Sequence, residues 1–144
     1  MSFFDVLSRR KNMTPEMEKA FEYLDRLHDE YPNMAYTAVK AYITKFIIKN
    51  ADEFTNVIRK GFNVKEWVYG AIGNTAAEFL NKRRCYTSKG LLSDLGKDTY
   101  EIYVSAMDEL LAMKAINENR HKMQIDAMQK IIEAHEKNNK DKKK

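Results

Sequence analysis

The sequence predicts an all-α protein, a bundle of four to five helices with a long C-terminal helix and a short basic tail. Glycine totals 5 and proline 2 in 144 residues, too few for the tight turns of an all-β fold. Apolar residues recur at three- and four-residue spacing over long stretches. Helix-opening signatures stand in front of several of those stretches. At this length one domain with a real core is expected.

Residues 1–13 read as an arm or short helix. Ser2 with Asp5 opens a short turn that exposes Phe3, Phe4 and Leu7 on one side, and Arg9, Arg10 and Lys11 follow. The bundle proper, 14–117, begins at Thr14-Pro15, an N-cap followed by proline at the first helical position. Met17, Phe21, Leu24, Leu27 and Tyr31 form its inward stripe, and Pro32 closes it. A second helix from about Met34 to Asn50 turns Val39, Tyr42, Ile43, Phe46 and Ile47 inward. Asp52 caps a third, shorter one carrying Phe54, Val57 and Ile58, with Gly61 as its C-terminal cap.

Asn63 and Glu66 form the next capping pair, followed by Trp67, Val68, Ala71 and Ile72 at helical spacing. Gly70 and Gly73 leave two readings. Either they make a small face for close helix approach, or the helix breaks at Gly73-Asn74 and restarts at Thr75 through Glu78. Cys85 through Lys97 is the least regular stretch, held to the body by Leu91, Leu92 and Leu95. Asp98 and Glu101 cap the last long run, whose inward residues are Tyr103, Ala106, Met107, Leu110 and Met113.

Six polar residues, Asn117 through Lys122, interrupt that stripe, and it returns in another phase as Ile125, Met128, Ile132 and His135. A straight helix from 98 to 137 would be about 60 Å long, against a radius of gyration near 15 Å for a compact chain of this size. The segment 118–136 is therefore expected to project from the bundle or to kink back near Asn117.

The net charge is +4, and the tail 137–144 alone accounts for it with five lysines and one aspartate. The single cysteine, Cys85, excludes an internal disulfide. The N-terminus lacks the basic-then-apolar order of a secretory signal, and no stretch approaches a membrane span. A cytoplasmic location, or one within a viral particle, is the expectation.

Chemistry finds little support. Asp25-x-x-His28 and Glu118-x-x-His121 have the spacing of di-metal carboxylate bundles, but the further inward carboxylates such sites need are missing. Lys82, Arg83 and Arg84 precede Cys85 and would favour its thiolate, yet no histidine is near in sequence. Phosphate-binding glycine motifs are absent. No enzyme, metal, cofactor or small-molecule substrate is expected.

Docking carries more weight. The favoured reading is a non-catalytic adaptor or structural subunit of a larger bacterial or viral assembly, with a protein partner, either another protein or a second copy of the chain. Its contact residues would be Phe3, Phe4 and Leu7 in the arm, and Met123, Ile125, Met128, Ile131 and Ile132 in the C-terminal helix. Four of the eight methionines fall between 107 and 128, and methionine adapts to irregular interfaces. The alternative is a nucleic-acid accessory protein using Arg9, Arg10, Lys11, Lys82, Arg83, Arg84, Tyr86, Lys89, Lys140, Lys142, Lys143 and Lys144. A helix-turn-helix around Gly61 offers only Lys65 and Tyr69 to a groove. A third reading is an inhibitor or immunity protein using the acidic first helix, net −4 from Thr14 to Tyr31, as a decoy.

Overall fold

A computed structural model describes residues 13–142, with side chains through Lys137. Phe3, Phe4, Leu7, Arg9, Arg10 and Lys11 lie outside the described residues, as do the side chains of Lys140, Lys142, Lys143 and Lys144. The fold is all-α. Among the described residues six helices pack together and there is no strand, only an isolated bridge between Tyr86 and Leu92. They are α1 (Pro15–Glu30), α2 (Met34–Lys49), α3 (Ala51–Arg59), α4 (Val64–Phe79), α5 (Asp94–Ala112) and α6 (Glu118–Lys142), with a 3-10 turn at Arg83–Cys85. No helix among the described residues is long and apolar enough to cross a membrane.

Local chemistry sets most of the boundaries. Thr14 accepts the Met17 amide at 3.3 Å, and its hydroxyl meets that of Thr55 at 2.9 Å, fixing the start of α1 against α3. Asn33 and Asn63 accept the amides three residues on, opening α2 and α4. Gly61, at φ +109°, lets the Gly61 and Phe62 amides return to Ile58 and Val57, which satisfies the last carbonyls of α3.

Other boundaries depart from the sequence reading. Asn50 ends α2 and begins α3 without a side-chain cap, so Asp52 lies inside α3. The α5 helix starts at Asp94, four residues before Asp98, because Ser93 accepts the Gly96 amide at 3.1 Å.

The antiparallel pair α4 and α5 forms the centre. The α4 helix runs unbroken through Gly73, so the restart at Thr75 does not occur. A Cβ on Gly73 would lie 2.5 Å from the Met107 methyl and 3.8 Å from the Ala106 Cβ, so the end of the Met107 side chain packs into the space this glycine leaves. Lys65 pairs with Glu109 at 2.6 Å across the same interface. The α1 and α2 helices cover one side, and the Tyr36 hydroxyl donates to the Leu24 carbonyl at 2.7 Å inside the core. Leu24, Val39, Ile43, Ile47, Val68, Ile72 and Ile102 are fully buried between these four helices.

The chain reverses after α5, and α6 returns antiparallel along it. The polar hexad is the cap and first turn of α6, and Asn117 caps the new helix by accepting the Arg120 amide at 2.7 Å. The change of apolar phase marks a second helix. Four ties fasten it: His121 to Asp108 at 2.7 Å, the Tyr103 hydroxyl to the Gln124 carbonyl at 3.1 Å, Gln129 to the Tyr100 hydroxyl at 3.1 Å, and His135 stacked on Tyr86 at 4.0 Å.

The reversal contains one strained residue. Lys114 has φ +61°, the left-handed position that glycine normally fills after a helix, and the Lys114 and Ala115 amides bond back to Leu111 and Leu110. An L side chain costs about 1 kcal/mol there. Lys114→Gly is therefore expected to raise the melting temperature by roughly 3 °C, measurable by circular dichroism. An unchanged or lower value would mean that the Lys114 side chain contributes more than its backbone costs.

Candidate docking groove

Apolar residues cover more of the surface of α2 than one buried face requires. Tyr36, Val39, Ile43 and Ile47 form the stripe that enters the core. Tyr42 and Phe46, expected inward, stand about 100° away from Ile43 and Ile47 on the helix and are 48% and 49% exposed. Their rings face α4: Phe46 lies 6.1 Å from Trp67 and Tyr42 meets Phe79 edge-on at 6.1 Å. Trp67 is held in place from below by buried Phe54, 4.8 Å away and nearly perpendicular. Phe62, 46% exposed, follows the Gly61 cap and adds a fourth ring at this end.

Together these walls enclose an open groove of about 590 Å3. The α2 rings form one side and α4 the floor, while the far wall is the α5–α6 reversal with Ile116, Arg120 and Gln124. Gly70 lies on the floor, and a Cβ built there meets nothing within 4 Å. The two glycines of α4 thus differ: Gly73 serves internal packing, and Gly70 opens outward. Glu66 and Glu78 edge the groove twelve residues apart, about 18 Å along the helix. Their carboxylates and the Arg120 guanidinium have no ion-pair or hydrogen-bond partner among the described residues.

Chemically, the groove offers ring faces and fixed charges. Paired carboxylates that work as acid and base sit about 5–10 Å apart, far closer than Glu66 and Glu78. Comparison with known protein families, curated proteins and solved structures gave no match.

Met128 is 4% exposed and belongs to the core, while Ile125, Ile131 and Ile132 are half-buried against it. The face expected to be open to a partner is thus largely used to dock α6 on its own bundle, and only Met123, 63% exposed, stays free. Tyr86 is a strut: its ring stacks on His135 and its hydroxyl donates to the Leu80 carbonyl at 2.5 Å. Lys82, Arg83, Arg84 and Lys89 are exposed.

Cys85 is 1% exposed, and burial pushes its thiol up, against the thiolate that the neighbouring cations suggested in sequence. Lys65 pairs with Glu109, and Tyr69 is 9% exposed with burial raising its hydroxyl to about 12, so neither is presented as a helix-turn-helix contact. His28 stacks on Tyr36 at 5.6 Å and His121 pairs with Asp108. On α1, Glu16 pairs with Arg59 and Asp25 with Lys40, which reduces the acidic surface available as a decoy. Sequence reading missed Tyr42, Phe46, Trp67 and Gly70 as a group. The available signal was the excess apolar width of α2 opposite a glycine that no internal contact requires.

Proposed function

We propose that this protein is a non-catalytic adaptor that seats an amphipathic helix of a partner protein in the groove between α2, α4 and α6. The observation that carries this reading is the row of half-exposed rings, Tyr42, Phe46 and Phe62 beside Trp67, left uncovered by the other described residues. Rings in a concave site bury large areas at little entropic cost, and helix-binding grooves take apolar anchors at i, i+3 or i+4, and i+7. The 18 Å between Glu66 and Glu78 matches about three helical turns. Their uncompensated carboxylates favour a partner helix with lysine or arginine along one flank. This docking surface replaces the C-terminal helix face expected from the sequence. It suits the role of a subunit in a larger bacterial or viral assembly.

A display selection of three-turn helical peptides against the full chain tests the proposal. Enriched peptides are expected to carry that anchor spacing with basic flanks, and to lose at least tenfold in affinity against Gly70→Leu or Phe46→Ala. Leucine at 70 fills the floor, yet helix propensity favours it over glycine by about 0.8 kcal/mol, and its Cβ meets open space. Lost binding then reports occlusion of the groove, with a melting temperature equal to or above that of the parent. Enriched peptides that bind Gly70→Leu and the parent equally would refute the groove as the site.

A further inference from the structure

We infer that the end of the bundle where the Arg83–Cys85 turn meets the C-terminal part of α6 is a binding surface for the phosphate backbone of nucleic acid. The basic residues Lys82, Arg83, Arg84 and Lys89 of the turn and Lys137 of α6, 48 residues beyond Lys89, are brought to the same end. The join is the His135 ring stacked on Tyr86 at 4.0 Å and 15°. Lys137 follows two residues later and is exposed. Neither Lys82, Arg83, Arg84, Lys89 nor Lys137 has an ion-pair partner among the described residues. Asp94, Glu133 and Glu136 are also at this end and leave a basic excess.

The arginines are held by a rigid backbone. Buried Cys85 anchors the turn, its amide bonds the Lys82 carbonyl at 3.1 Å, and the Ser93 hydroxyl donates to the Arg84 carbonyl at 3.0 Å. The Arg84 guanidinium rests 5.1 Å over the Phe79 ring, which orients its planar fork. A fixed fork suits a discrete phosphate, bidentately bound, more than the diffuse charge of a lipid surface. A membrane-docking patch also needs broad apolar area, and Leu91 is the single large aliphatic residue exposed on this loop. With Tyr86 engaged by His135 and Leu80, recognition goes to the backbone without reading bases.

Fluorescence anisotropy of the full chain with a labelled duplex of about 20 base pairs tests the inference. Affinity is expected to fall between about 50 and 200 mM salt, with a log–log slope near −4 for four to five phosphate contacts. Arg83→Ala/Arg84→Ala removes two exposed side chains, so its circular dichroism is expected to match the parent. Its affinity is expected to fall at least tenfold and its slope to shrink by about 2. Phe46→Ala, which empties part of the groove, is expected to leave duplex binding unchanged, so the two surfaces stand or fall separately. Absence of duplex binding at about 50 mM salt overturns the inference, as does equal affinity of parent and double variant. Arginine-dependent binding to anionic phospholipid vesicles without duplex binding also overturns it, assigning the surface to membranes.

Discussion

Gly96→Ala is expected to destabilise the fold by about 3 kcal/mol or more and to lower the melting temperature by roughly 10 °C. Gly96 sits in the first turn of α5 with helical backbone, so conformational freedom is not the reason for glycine. The reason is distance. A Cβ at this position would run into the Cys85 carbonyl, with Leu92 at 2.9 Å. That carbonyl cannot retreat freely because it accepts the Ser93 amide at 2.9 Å, while Ser93 also caps α5 and ties to Arg84.

Moving the carbonyl therefore disturbs the cap, the 3-10 turn and the strut beneath His135 together. A domain of 144 residues has a net stability of roughly 7–20 kcal/mol, so the loss is a substantial fraction of it. Gly70→Ala is the matched control. It places the same methyl on a helix facing open space and is expected to gain about 0.5–1 kcal/mol. Thermal melts of the two variants should move in opposite directions. A drop of under 2 °C for Gly96→Ala would mean that the Cys85 segment yields easily and that the crossing is not tightly built.

These contrasts show which features the sequence encodes locally. The stripe Met17, Phe21, Leu24 and Leu27 is buried as its spacing predicts, and the caps at Thr14, Gly61 and Asn63 act where their side chains and φ freedom imply. Each of those depends on neighbours within a few residues. Apart from the starts of α3 and α5, set locally at Asn50 and Ser93, the misassigned features depend on distant contacts. Periodicity shows that Tyr42 and Phe46 lie on an apolar surface, but not that α4 and α6 stop short of covering it. Charges beside Cys85 in sequence suggested thiolate, whereas the chain turns Arg83 and Arg84 out and Cys85 in. Gly96, a poor helix former, helps make residues 85–97 look irregular, and its purpose emerges only when Cys85 is seen across from it. The groove was the least legible element, since it is defined by what does not fill it.

Met128→Asp is expected to release α6 from the bundle at a cost of about 3 kcal/mol, while α1 through α5 stay folded. Met128 is the deepest side chain of α6, 4% exposed, and an aspartate there would place a charge against apolar neighbours with no basic partner in the core cluster. Opposing this are the half-buried Ile125, Ile131 and Ile132 and four polar or ring ties, most of them near the surface, where water competes for the same groups. Undocking avoids burying the carboxylate without disturbing the fully buried α4–α5 centre. Hydrogen exchange of the α6 amides should accelerate by about two orders of magnitude, equivalent to roughly 3 kcal/mol, with protection in α4 and α5 retained. Loss of protection in every helix together would show that α6 is part of one cooperative core. Unchanged exchange would show that Met128 contributes little to holding α6, and would restore the C-terminal helix as a surface for an external partner. The expected split also bears on the groove, because Arg120 and Gln124 form its far wall and leave with α6. Peptide capture should then weaken in Met128→Asp even though Phe46 and Trp67 are untouched.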